Sequence, residues 1–226
     1  MKNLKIVAIS DTHSKHEGLV IPPCDILIHA GDATFGGEPN ELRDFAEWLD
    51  EQDAAHIVYI PGNHELWLEK NLTLGISILK KYCPAINVLI HEFVDIEGVR
   101  IWGSPATPWF CNWAWNYART DEEAALRNIP HINTIWDKIP IDTDILVTHG
   151  PPYRVLDQLP TDEFVGDYNL MSVITDLDVD LHFFGHIHCG HGQEHHDGTS
   201  FYNVAICDER YLPINPITVV DYEVES

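Results

Sequence analysis

Residues 4–13 read LKIVAISDTH, a short apolar run that stops at a carboxylate and an imidazole. Such a run, too short for a helix and ended by polar residues, marks a strand buried on both faces of a largely parallel sheet. Working outward, four more runs repeat the pattern, at 25–30, 56–60, 145–148 and 181–184. Each leads at once into residues able to bind a metal: Asp11 and His13; Asp32 after Gly31; Asn63 and His64; His149; His186 and His188. Ligands of open α/β sheets sit beyond the carboxyl ends of the strands, which is where these side chains fall.

The intervening segments read as helices and closing strands. In 40–52, Leu42, Phe45, Ala46 and Leu49 recur at helical spacing. A helix over 66–82 follows, with Gly75 its weak point. Residues 93–96 and 99–103 flank Glu97 and Gly98 as a hairpin, 121–128 and 170–176 are short helices, and 199–206 and 217–223 are late strands. No repeat, low-complexity tract or long linker interrupts the chain, so one α/β domain over residues 1–226 is expected.

Charge narrows the partners. Thirteen Lys and Arg against 36 Asp and Glu leave a formal charge of -23. Polynucleotide binding rests on cations that displace condensed counterions, so a nucleic-acid polymer is not an expected partner. A small anionic substrate remains open, because bound cations reverse the local field. Five scattered cysteines without a CxxC pair read as reduced thiols. The apolar start is too short for a secretory leader, and no stretch approaches the roughly 20 apolar residues of a membrane span. The expected location is the cytoplasm, without a membrane partner.

The candidate ligands form a coherent set. First-row divalent metals accept imidazole, carboxylate and amide oxygen together. Asp11 and His13 are two residues apart, as are His186 and His188, and an extended backbone would point each pair one way. Asp32 has two oxygens and can bridge two cations. Seven ligands with one shared make two sets of four, which leaves room for water and phosphate.

In chain order these pieces, Asp-x-His, Gly-Asp, Gly-Asn-His-Glu, His and Gly-His-x-His, resemble the calcineurin-like metallophosphoesterases. Residues 9–14, 62–65, 107–110 and 148–152, together with 203–210 and Asn215-Pro216, look closest to the metallophosphoesterase-domain-containing group of class III-type phosphodiesterases. The resemblance implies a four-layer α/β/β/α sandwich and hydrolysis of a phosphoester by water activated between two divalent cations. Mn leads among the metals, ahead of Fe and Zn. It implies Asp11, His13, Asp32 and His188 at one ion, and Asp32, Asn63, His149 and His186 at the other. Asp32 would hold the ions together, and His64 would hydrogen-bond or protonate the leaving oxygen. Some mammalian members of the group carry Gly where this chain has His186, and the intact pair here favours an active hydrolase.

Small phosphodiesters, aryl esters or cyclic nucleotides, are the expected substrates. A phosphomonoesterase or protein phosphatase would use the same core, and a non-catalytic metal- or nucleotide-binding scaffold is the rival from another class. The metallo-β-lactamase type would need a local His-x-His-x-Asp-His string, which is lacking. The aromatic stretch at 107–119 reads either as a loop-pinning cluster or as a pocket wall. In the second reading Trp109 or Trp115 stacks on a base and Arg119 meets phosphate. Glu65 is expected to support the loop, His191, His195 and His196 to lie on a solvated loop, and Cys189 to be a small buried hydrophobe.

Overall fold

The computed structural model describes residues 2–224. In chain order the strands are β1 (Lys2–Ile9), β2 (Cys24–Ala30), β3 (Ala54–Ile60), β4 (Ile86–Val88), β5 (Glu92–Ile96), β6 (Val99–Ser104), β7 (Thr107–Pro108), β8 (Asn116–Tyr117), β9 (Ile145–Thr148), β10 (Leu181–Phe184), β11 (Gly192–His196), β12 (Thr199–Asn203) and β13 (Thr218–Val224). The α-helices are α1 (Pro39–Asp50), α2 (Leu66–Lys70), α3 (Leu72–Tyr82), α4 (Asp121–Arg127), α5 (Asn133–Trp136) and α6 (Tyr168–Asp176).

Two mixed sheets face each other. The first runs β13-β1-β2-β3-β4 and the second β11-β12-β10-β9-β6-β5. Within the first, β1 to β4 are parallel and β13 is an antiparallel edge. Within the second, β12, β10, β9 and β6 are parallel, and β11 and β5 are antiparallel edges.

Side-chain alternation sorts the opening run between two cores. Leu4, Ile6 and Ala8 meet Ile101, Val147 and Phe183 between the sheets. Val7 and Ile9 point the other way, onto Leu42, Phe45 and Leu49 of α1 and Leu79 of α3. On the far side, Trp102, Leu146 and Phe184 pack on Trp136 of α5 and on Leu170 and Ile174 of α6. Helices, sheet, sheet and helices therefore make the four layers expected. Since the core strands are parallel within each sheet, the loops after β1, β2, β3, β9 and β10 emerge together.

Three local expectations need correction. The helix over 66–82 is two helices, broken at Asn71 (φ -128°), whose side-chain amide donates to Trp67 O at 2.9 Å. Gly75 sits inside α3 as a close-packing point, where a Cβ would lie 2.2 Å from Leu68 Cδ1. The histidine-rich loop is edge strand β11, turned back onto β12 by Asp197 and Gly198, both at positive φ. Cys189 is exposed.

Candidate metal centre

The five loops bring Asp11, His13, Asp32, Asn63, His149, His186 and His188 into one cluster. Potential ligand atoms of Asp11, His13 and His188 lie within 4.8 Å of one another, and so do those of Asp32, His149 and His186. Asp32 faces both groups. Its Oδ1 lies 3.3 Å from His149 Nε2, and its Oδ2 lies 4.0 Å from His13 Nε2 and 3.9 Å from His64 Nε2. Asn63 Oδ1 is 2.8 Å from His149 Nε2. His64 joins His13 and Asp32 in a third group of the same size.

Strand alternation does not achieve this convergence, contrary to the expectation for Asp11 and His13. Asp11, His13, Asp32 and His186 all adopt positive φ, between 43° and 68°. Left-handed backbone is unfavourable for residues with a Cβ and persists only where neighbours enforce it. Here His13 N donates to Asp32 O at 3.0 Å, Asp11 N to Gly31 O at 2.9 Å, and His186 N to Asp11 Oδ2 at 3.0 Å. The chain also passes close beneath the side chains. A Cβ on Gly62 would lie 2.3 Å from Asp32 Oδ1, and one on Gly185 would lie 2.0 Å from Asp11 Oδ2.

The donor set fits cations. His188 Nδ1 donates to Asp208 O at 2.9 Å and His149 Nδ1 to Ala30 O at 3.0 Å, which turns both Nε2 atoms inward. His13 Nε2 and His188 Nε2 meet nitrogen to nitrogen at 3.3 Å. Two lone pairs at that separation need a proton or a cation between them. Burial favours the neutral imidazole at His149 and His188, but Asp32 beside the first and Asp11 beside the second raise each to about 9. Burial likewise opposes charge on Asp11 and Asp32, yet His188 and His149 hold the two carboxyls well below the ordinary range. Burial pushes His13 and His186 down to about 4, leaving them neutral and ready to coordinate.

Metal uptake must therefore displace the protons on His149 and His188. Both values are raised above the unfolded imidazole. The stability from these ion pairs is thus full below about pH 6.5 and lost as pH rises through about 9. Affinity of the stripped protein for Mn²⁺ should climb across the same window, with proton release. Calorimetry in two buffers of unlike ionisation enthalpy measures this, and an affinity flat with pH would count against the ion pairs.

Supporting residues surround the cluster. Glu65 is fully buried and accepts from Asp32 N (3.2 Å), Thr34 N (2.9 Å), Thr34 Oγ1 (2.9 Å) and Gly62 N (2.5 Å). Two buried histidines without a motif prove to be paired behind the site. His29 Nε2 is 3.0 Å from Thr12 Oγ1, and His182 Nε2 is 2.8 Å from Thr148 Oγ1. Each threonine adjoins a clustered residue, a cue that was present in the sequence.

A two-lobed cleft opens over the cluster. One lobe, of about 290 Å³, is lined by His64, Trp113, Glu209 and Tyr211. The other, of about 280 Å³, is lined by Trp109, Arg119, Pro151 and Val165. Phe110, Leu159, His186 and Ile187 border both. Of the aromatics singled out by sequence, Trp109 reaches the cleft with its ring covered by Arg127, 3.1 Å from the centroid. Trp115 is 6% exposed and lies outside both linings. Trp113 takes the place beside the cluster, stacked on His64 at 4.4 Å and 29°. Ala114 N donating to Asn63 O and Trp115 N donating to Glu69 Oε1 hold it there.

Residues 4–190 match the sequence profile described as calcineurin-like phosphoesterase. The chain belongs to that family. Among calcineurin-like relatives, the human and mouse metallophosphoesterase domain-containing protein 1 are each 35% identical, over 96% of this chain and 70% of theirs. The crystal structure of a phosphopantetheinyl hydrolase from Mycobacterium tuberculosis superposes with a TM-score of 0.61 at 19% identity, over 92% of this chain and 90% of the other. That likeness concerns the fold. This calcineurin-like phosphoesterase is a metal-dependent hydrolase, with two ligand clusters suited to a dinuclear centre. Among its described residues, no helix is long and apolar enough to cross a membrane.

Proposed function

We propose that the protein hydrolyses small phosphodiesters at this cluster. The observation that carries the reading is the two-lobed cleft, which offers one lobe to each ester arm of a phosphate lying against His186 and Ile187. When bound, two divalent ions, with Mn²⁺ preferred over Fe and Zn, supply charge that acidifies water and polarises phosphorus. Asp11, His13, Asp32 and His188 would hold one ion, and Asp32, Asn63, His149 and His186 the other.

The protein's remaining groups handle the leaving oxygen. His64 Nδ1 lies 3.2 Å from Phe35 O and donates to it, while Trp113 covers one ring face. Its Nε2 is thereby turned toward the cluster, placed to give a proton to the departing oxygen. Five unbonded cysteines support a reducing compartment, the cytoplasm.

The test is stripped protein reloaded with Mn²⁺ and offered an aryl diester and the matching monoester side by side. Diester turnover in excess is expected; turnover of the monoester alone would make the protein a phosphomonoesterase. For His64→Ala, an alkyl diester with a poor leaving group should slow by about 10²–10⁴-fold. A nitrophenyl diester should slow far less. Equal slowing of both would remove the proton-donor role and leave His64 a phosphate-positioning group.

A further inference from the structure

The two lobes differ in charge, and that difference has a direction. The lobe beside His64 carries Glu209, with no Lys or Arg among its described lining residues. The other carries Arg119, with no Asp or Glu among its described lining residues. We infer that the cleft sorts the arms of an asymmetric phosphodiester. The arm bearing a second anionic group lies against Arg119 and is retained as the phosphomonoester, while a neutral or cationic alcohol departs past His64 and Glu209. This inference rests on the phosphodiesterase reading and adds to it the substrate class and the bond that breaks.

Arg119 is set up for such a ligand. Among the described residues, Arg43, Arg100 and Arg127 each have a carboxylate oxygen within 4.0 Å, whereas Arg119 has none. Its only side-chain hydrogen bond among the described residues goes from Nη2 to Val165 O at 2.8 Å. The nearby acids are engaged elsewhere. Glu123 accepts from the Arg119 backbone N–H at 2.9 Å and pairs with Arg127 at 3.0 Å. Asp167 accepts from Trp136 Nε1 at 2.6 Å and Asn169 N at 3.0 Å. The guanidinium also borders an outer hollow with Glu163, Phe164 and Tyr168, so it is reached from solvent. A half-buried, unpaired guanidinium in a chain of charge -23 is suited to a planar anion, which it can bind through two parallel N–H groups.

The rest of the lobe sets the arm's body. Trp109, Pro108, Pro151 and Val165 make its walls apolar, and Arg127 against the Trp109 ring stiffens one of them. About 280 Å³ sits at the lower end of ligand pockets, room for a ring system and not a polymer. The chemistry then balances simply. Water adds a P–O bond, and the bond to the oxygen in the His64 lobe breaks. One water proton ends on the departing alcohol and the other leaves as the monoester ionises.

Phenyl 3-carboxyphenyl phosphate tests this, since its two phenols leave with matched ease and differ in charge. With Mn²⁺-loaded protein, phenol should exceed 3-hydroxybenzoate about tenfold, a preference of about 1.4 kcal/mol. Arg119→Gln should bring the ratio close to parity, and the exposed Glu209→Gln should lower it about twofold. A binding arm is independent of turnover: by calorimetry, wild type should prefer 3-carboxyphenyl phosphate to phenyl phosphate, and Arg119→Gln should lose the preference. Equal release of the two phenols, or a ratio and binding preference unmoved by Arg119→Gln, overturns the inference. Failure to cleave any diester, with the binding preference intact, counts against the phosphodiesterase reading and leaves Arg119 as the anion anchor.

Discussion

Asp32→Asn should nearly abolish turnover on an aryl diester while leaving the metal-free fold intact. The carboxylate is 2% exposed, with one oxygen toward His149 and the other toward His13 and His64. An amide keeps the shape but places an N–H₂ against one set of imidazoles, where neither charge nor a second lone-pair oxygen remains. Loss of a merely supporting hydrogen bond weakens metal sites about 10–100-fold. Loss of the group shared by both clusters should exceed that, on the order of 10³-fold in kcat, with less than two ions retained per chain. Metal analysis and kcat on the same sample check it, and full occupancy with kcat within tenfold of wild type would sink the bridging role. The thermal midpoint of the stripped protein should move little, because the buried negative charge is removed together with its interactions.

Glu65→Ala should show the opposite signature, with stability falling first. Four N–H and O–H donors converge on this one carboxylate, from Asp32, Thr34 and Gly62. Each buried donor left bare is worth about 1–3 kcal/mol. Partial rescue by water leaves an expected loss of about 4 kcal/mol, or roughly 8–16 °C in Tm for a chain of this size. Glu65→Gln should fare little better, since its amide would meet donors with donors. Burial raises the Glu65 carboxyl to about 8 and the Asp32 charge adds to this, against the hydrogen bonds from Gly62 and Thr34. In stripped protein its contribution is therefore full below the unfolded value and lost as pH rises through about 8. Calorimetric melting of the variants settles the point, and a Tm within about 2 °C of wild type would show that the four bonds carry no stability.

Much of the arrangement was legible because parallel strands share a direction. Once 4–10, 25–30, 56–60, 145–148 and 181–184 are read as strands, their following residues must emerge at common edges, whatever the loops do. The manner of convergence was not legible. Left-handed backbone at Asp11, His13 and His186 is imposed by contacts from Gly31, Asp32 and Asp11, all distant in sequence. The aromatic stretch failed for a related reason. Without helix or strand periodicity there is no face to assign, so nothing in the sequence chose Trp113 over Trp109 and Trp115 for the place against His64. The turn at Asp197 and Gly198 was a readable hairpin signal, obscured by the histidines around it.

The cluster draws Asp11, His13, Asp32 and Asn63 from loops of the first sheet and His149, His186 and His188 from loops of the second. Between those sheets lies an apolar interface, whose cohesion comes from non-directional burial. An ion gripped from both sides is then a rivet through the sandwich. Prising the halves apart would require breaking coordination before the greasy seam could open, so the reagent that powers the reaction would also lengthen the lifetime of the folded chain.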